Sequence, residues 1–363
     1  MVVVYKKLRE RLDQFPQGFP SSRSGIELKI LEDLFTPQEA ELALFMRPYP
    51  ELEPVSAIAP RAGRGEKELG ETLYSMSKKG LIMRFRASET DLYYCLVPWA
   101  IGIFEFQVNN LTRDRIQMYE QYFEEATVPA WREVPNRLGY RVIPVEKEIT
   151  AMTTIHPYER ISQFIDSNTE FAVADCICRK ERAILGDSCG RLQEACLTFG
   201  PAAAYCIENG ISRAISKEEA RSILLRSEEE GLVHCSTNVS GGQLFICNCC
   251  TCCCGVMKHI TKYDNPRAVT KSNYYAVNDA DKCNDCGICV GRCQVHAIRI
   301  EKGVALINRE RCIGCGLCVT KCATGSLSLA AKSPGEATPV FFDEVAMLQA
   351  VGKARGSSYH PFE

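Results

Sequence analysis

Cysteine spacing constrains this chain more than any other feature. The chain has 363 residues and 21 cysteines, all but Cys95 lying after residue 175 and many only two or three positions apart. Disulfide scaffolds are short secreted chains, whereas this one is long. It opens MVVVYKKLRERLDQF, four apolar residues followed by charged ones, without the apolar region of a signal peptide. Thiolates at such density read as metal ligands in a reducing compartment, so a cytoplasmic location is expected. There is no run of about 18 apolar residues to span a membrane. Lys plus Arg (43) nearly balance Asp plus Glu (45), so no global field points to nucleic acid.

The densest part is ordered. Cys283-x2-Cys286-x2-Cys289-x3-Cys293 recurs as Cys312-x2-Cys315-x2-Cys318-x3-Cys322, with Gly287 and Gly316 at the same place in each half. This pattern resembles the bacterial two-cluster ferredoxins over about residues 276–331. The resemblance implies two [4Fe–4S] clusters, the fourth cysteine of each run ligating the other cluster. Cys283, Cys286, Cys289 and Cys322 would hold one, and Cys312, Cys315, Cys318 and Cys293 the other. Those ferredoxins usually carry Pro after the fourth cysteine. Gln294 and Ala323 stand there instead, which bears on loop geometry and potential rather than ligation. Two C4 zinc sites are the competing reading, but zinc ribbons separate their CxxC pairs by a longer loop.

Cys176, Cys178, Cys189 and Cys196 form a second constellation with Cys247, Cys249, Cys250, Cys252, Cys253 and Cys254. Each group follows a short strand, at residues 171–174 and 243–246. Pairing of those strands in one sheet would bring both groups to one edge. One or two further Fe–S clusters are expected. Cys176, Cys178, Cys196, Cys247, Cys250 and Cys253 are the first candidate ligands, and Cys189, Cys249 and Cys254 the next. Neighbouring side chains of extended chain point opposite ways, so adjacent cysteines are not all expected on one metal. Cys252 is assigned no role. Free buried thiols or a structural zinc are the alternatives. Arg179 and Lys180 could offset thiolate charge, and His156 is the histidine best placed to be tested as a ligand.

Around these groups the chain reads as α+β and multidomain. Residues 1–100 are expected to form a winged-helix-like domain. A capping box at Thr36 to Glu39 starts one helix, others cover 54–62 and 66–79, and strands at 81–86 and 92–97 follow Gly80. A connecting helix from Ile101 and a linker occupy 101–144. An α/β cysteine-rich domain at 145–275 is expected to contain helices at 191–209 and from Ser216 to about Glu230. The ferredoxin-like module at 276–331 precedes a docking tail at 332–363, with a helix at 343–353.

The segments HPYERISQFIDSNTEFAVADCICRK and FICNCCTCCCGVMK, with QGFPSSRSGIELKILEDLFTPQEAEL and ENGISRAISKEEARSILLRSEEEGLVH, resemble the ferredoxin-type 4Fe–4S binding proteins of anaerobic bacteria and archaea. The resemblance implies the three-part architecture but no defined substrate. No Walker A, GxGxxG or GxSxG motif is present. The helix at 66–79 mixes Glu66, Glu68 and Glu71 with Lys67, Lys78 and Lys79, too little positive charge for phosphate binding. The expected role is a subunit passing single electrons to a partner oxidoreductase or larger redox complex. The alternatives are a redox-sensing DNA-binding regulator and a catalytic subunit whose cluster has an open iron site.

Overall fold

The structure, a computed structural model, describes residues 2–88, 90–134, 139–149 and 159–359. His156 lies outside them. Helices α1 (Val2–Asp13), α2 (Ile26–Leu34) and α3 (Pro37–Ala43) open the chain. The capping box forms: Thr36 Oγ1 accepts from the Glu39 N–H at 3.2 Å, and the Glu39 carboxylate accepts from the Thr36 N–H at 2.9 Å. Strand β1 (Glu53–Pro54), helices α4 (Val55–Ala62) and α5 (Glu66–Lys78) and strands β2 (Ile82–Arg86) and β3 (Leu92–Leu96) follow, in the sheet order β1-β3-β2. Gly80 turns the chain at φ 73°, where a Cβ would sit 2.7 Å from Phe106 Cβ.

No continuous helix starts at Ile101. Ala100 and Ile101 are extended, α6 (Phe104–Phe106) is a single turn, and helix resumes at α7 (Arg113–Tyr122). Asn109 and Asn110 favour turns over helix interior, and Thr112 caps α7 by accepting from the Arg115 N–H at 3.3 Å. A wide turn at Phe123–Thr127 leads into α8 (Val128–Glu133).

The middle of the chain builds β4 (Tyr140–Ile143), α9 (Ile161–Asp166), β5 (Phe171–Asp175), α10 (Ile177–Leu185), β6 (Glu194–Phe199), α11 (Gly200–Glu208), β7 (Arg213–Ala214), α12 (Lys217–Glu229), β8 (Val233–Thr237), β9 (Phe245–Cys249) and α13 (Gly255–Thr261). Its six strands are ordered β4-β8-β9-β6-β5-β7, antiparallel at every pair. The helix expected over 191–209 is half strand. Ala195, Leu197 and Phe199 alternate with less buried neighbours at a period of two, and helix begins only at Gly200-Pro201. One face of the sheet is covered by α9 and α12, through Phe164, Val173, Leu197, Ile223 and Ile246.

Strands β10 (Tyr274–Asn278), β11 (Ile298–Glu301), β12 (Val304–Ile307) and β13 (Leu327–Ala331), with helix α14 (Ile288–Arg292), frame the cysteine repeat. β10 pairs with β13 and β11 with β12. The last helix, α15 (Glu344–Arg355), folds back so that Met347 and Leu348 enter the core of the first hundred residues. Tyr49 Oη donates to Glu344 at 2.6 Å across that contact.

A buried ion pair joins these parts. Arg141 on β4 meets Glu159 at 2.9 Å with both side chains at most 1 % exposed. Arg141 also donates to Asn238 Oδ1 at 3.1 Å, and Glu159 accepts from the Asn273 N–H at 2.6 Å, just before β10. Removing one partner strands a desolvated charge, so Arg141→Met is expected to cost about 3 to 5 kcal/mol. A lower urea midpoint measures this; an unchanged midpoint would show that the pair is not holding the sheet to the repeat.

Candidate metal centres

Strand direction decides where the cysteines go. β5 and β9 each run antiparallel to the intervening β6, so they run parallel to each other and end at the same edge. Cys176 and Cys178 leave β5 there, and Cys250 to Cys254 leave β9 there. The expected convergence therefore occurs with one strand between. That strand supplies Cys196, directly opposite Cys247, which in turn lies opposite Cys235 on β8. Residues opposite one another share a face, as do positions two apart. Cys196, Cys247, Cys235 and Cys249 thus line the face away from α9 and α12.

Seven thiols join on this face. Cys176 neighbours Cys178, Cys178 neighbours Cys254, and Cys254 neighbours Cys249. Cys249 neighbours Cys235 and Cys247, and Cys247 lies opposite Cys196. Tyr140 Oη lies 3.3 Å from Cys249 Sγ. Hydrogen bonding to the next thiol and then burial push Cys176, Cys247 and Cys249 well above the usual thiol range. Without a cation in their midst these groups stay protonated; a bound metal is what makes thiolates stable in a dry site. Cys235 was missed in the sequence because it stands alone there, in phase with the row only through the β8–β9 register.

Cys189, Cys250, Cys252 and Cys253 form a separate set whose Sγ atoms all lie within 4.8 Å of one another. Cys252, left without a role in the sequence, belongs here. The chain after β9 is a turn, not a strand, and a turn lets successive side chains converge. Hydrogen bonds from Cys253 and Cys252, with the Arg179 charge, outweigh burial and hold Cys250 down at about 4. Arg179 is buried, donates to Asn248 O at 2.9 Å and stands 3.9 Å from Cys250 Sγ. Burial disfavours its charge, but Cys176, Cys250 and Cys249 prevail and keep the guanidinium protonated. Lys180 instead pairs with Asp175 at 3.0 Å. Of the histidines, His234 is hydrogen-bonded to Asn248 at 2.5 Å and His259 stacks on Trp131 at 4.4 Å. Cys95 and Cys206 are buried outside both sets.

The cysteine repeat is a repeat of backbone shape as well. Asp285 and Gly287 in the first half match Gly314 and Gly316 in the second, all with positive φ, and His296 matches Gly325. At Gly314 a Cβ would lie 2.1 Å from Ser272 Oγ and 2.2 Å from Tyr274 O, so no side chain fits. Cys293 lines one small cavity with Cys312, Cys315 and Cys318. These are the four cysteines that the resemblance of the repeat assigns to one cluster. Cys283, Cys286 and Cys289 neighbour one another. The fourth cysteines receive matching N–H···S bonds, from Ala297 to Cys293 at 3.2 Å and from Leu327 to Cys322 at 3.4 Å. Burial raises Cys322, but bonds from Ser326, Leu327 and Thr324 outweigh it and hold the thiol at about 7. Thiol-only donors, apolar surroundings and N–H groups aimed at sulfur fit iron–sulfur clusters.

Gln294 explains the missing proline. Its Oε1 accepts from the Thr251 N–H at 3.3 Å and from Thr251 Oγ1 at 3.2 Å, between Cys250 and Cys252. Beside it, Arg292 donates to Glu228 O at 2.6 Å and Glu229 O at 2.8 Å. The repeat is thus seated on the four-thiol turn.

Comparison with known proteins agrees with this geometry. A family model described as a 4Fe-4S dicluster domain matches residues 275–323. No curated protein and no solved structure matches the chain. The chain therefore carries a ferredoxin-type iron–sulfur domain beside a cysteine-rich cluster, and no described helix is long and apolar enough to cross a membrane.

Cys252→Ser is expected to lower bound metal by the content of one centre, whereas Cys206→Ser leaves it unchanged. Elemental analysis of the two variants measures this, and equal metal in both would remove Cys252 from the ligands.

Proposed function

We propose that the chain is an iron–sulfur electron-transfer subunit. Electrons enter at the first cluster of the repeat, cross to the second and continue into the cysteine-rich domain toward a partner oxidoreductase. The observation that carries this reading is the Gln294–Thr251 contact, which sets a ligand of the second cluster one residue from a bond to the four-thiol turn. The two halves of the repeat also differ in exposure. Cys286 is exposed beside Ile288 (47 % exposed) and Val290 (38 %), whereas Cys312 and Cys318 are buried. An exposed first cluster suits exchange with another protein, and a buried second one suits onward transfer.

In this reading Cys283, Cys286, Cys289 and Cys322 hold the first cubane, and Cys293, Cys312, Cys315 and Cys318 the second. Cys176, Cys178, Cys196, Cys235, Cys247, Cys249 and Cys254 supply the ligands of a third cluster. For Cys189, Cys250, Cys252 and Cys253 the 4.8 Å spread favours a single tetrahedral ion. Bonds of about 2.3 Å place four sulfurs about 3.8 Å apart round one ion. When bound, the clusters supply one-electron redox steps. The chain's own residues exclude water, donate hydrogen bonds to sulfur and offset charge through Arg179.

The DNA-binding alternative is disfavoured by what the first domain does with its arginines. Arg84 and Arg86 on β2 both pair with Glu208 of α11, at 2.8 and 2.7 Å, so that surface is spent on an internal contact.

Iron and acid-labile sulfide on anaerobically purified protein test the reading. About twelve irons with matching sulfide and one further ion are expected, counting four irons per cubane. About eight would confine cluster chemistry to the repeat, and about sixteen would make the four-thiol site a cubane. Gln294→Ala is expected to slow electron transfer within the protein severalfold at unchanged metal content, read by photoreduction kinetics. An unchanged rate would exclude the Gln294 route.

A further inference from the structure

The thiol face of the six-stranded sheet does not meet a packed layer. Above it lies a cavity of about 510 Å³, closed by the segment from Trp99 to Glu105, by α7 and the wide turn after it, and by α13. Ligand pockets occupy a few hundred to about a thousand Å³ and are mostly apolar with a few placed polar groups. The row of thiols lines this cavity together with the aromatic side chains of Trp99, Phe104, Tyr119, Phe123 and Trp131. A cluster on the thiols would share the cavity with anything held by those rings. A second cavity of about 250 Å³ shares Ile101, Glu105, Tyr140 and Cys247 with the first and extends between Met83, Val97, Tyr205 and Met347.

Two carboxyl groups stand in these walls. Glu105 accepts from the Gly102 N–H at 2.8 Å, and Glu181 Oε1 has no hydrogen-bond partner. Burial pushes Glu105 up to about 7. Burial, then the charge of Glu120, pushes Glu181 up to about 8. In its protonated form each carboxyl can donate a hydrogen bond into the cavity. Two of the cations at the rim are paired, Arg182 with Glu120 at 2.7 Å and Lys262 with Glu124 at 2.6 Å.

We propose that this cavity binds an uncharged, flat ring compound carrying carbonyl oxygens, of the quinone class, between its aromatic walls and the thiol face, with Glu105 and Glu181 donating to the oxygens. Aromatic walls favour a flat ring. Buried donors favour a ligand that brings acceptors and penalise one that leaves them unpaired. Such a compound takes two electrons, one at a time, from the reduced iron–sulfur centres and one proton at each oxygen, ending as the dihydroxy form. Only this electron step rests on the function proposed above. Binding does not.

The protein provides its own probe, because its only two tryptophans are Trp99 and Trp131, both in the cavity wall. Oxidised, metal-replete protein is titrated with duroquinone, whose ring positions are blocked against thiol addition, and separately with anthraquinone disulfonate. Duroquinone is expected to quench tryptophan fluorescence saturably, and the charged compound only linearly, as in free solution. Ile101→Phe, which fills the shared wall, is expected to weaken binding about tenfold or more at unchanged metal content. Glu105→Gln is expected to weaken it less, because one donor is kept. Linear quenching by both compounds, or equal affinity in the Ile101→Phe variant, overturns the proposal. Saturable quenching in protein with about eight irons would instead leave the ligand site standing and remove the third cluster.

Discussion

Burying thiols without burying their charge uncompensated is the constraint on which the molecule turns. Most of the seven thiols on the sheet face are pushed upward by one another and by burial. Arg179 is the nearby cation, committed to Asn248 O and close to Cys250. A site this dry cannot carry several negative sulfurs on one guanidinium. In the proposed reading metal binding is part of folding, since an ion or cluster stabilises deprotonated ligands only where the native chain has assembled them. The surrounding architecture serves that assembly. Antiparallel register puts Cys196, Cys247 and Cys235 in one row, and α9 and α12 cover the opposite face so that the thiol face is free.

The same constraint accounts for how the parts are joined. Clusters exchange electrons only over short distances, so the repeat has to be held against the cysteine-rich sheet rather than tethered by a loose linker. Arg292 and Gln294 do this on one side, and the Arg141–Glu159–Asn273 connection on another. The first hundred residues are joined as firmly, through Arg84 and Arg86 to Glu208 and through Tyr205 Oη to Ser77 O and Ile82 O. Those residues turn Arg84 and Arg86 onto Glu208 instead of presenting a free basic surface.

Local signals were legible where one residue type dictates backbone shape. The Thr36 capping box, the Gly80 turn and the paired glycines of the repeat all stand as their chemistry requires. The segment at 191–209 misled because Ala, Leu and Ala-rich stretches suit helix locally, while strand pairing with β5 and β9 claims Glu194–Phe199. The adjacency of Cys252 and Cys253 in one set was not legible for a related reason: alternation holds for extended chain, and the residues after Cys249 leave the strand in a turn.

The sequence alone marked the cysteine repeat as a ferredoxin-type domain, because thiolates at two- and three-residue spacing can wrap little else than a cluster, and the family match to residues 275–323 agrees. That the fourth cysteines cross between halves is what the resemblance of the repeat implies. Only the tertiary structure decided that eleven of the remaining thirteen thiols divide into seven and four, that Cys235 joins the larger set, and that an aromatic cavity opens beside it. Those outcomes depend on register between strands distant in sequence and on where a strand yields to a turn. Neither is encoded in spacing.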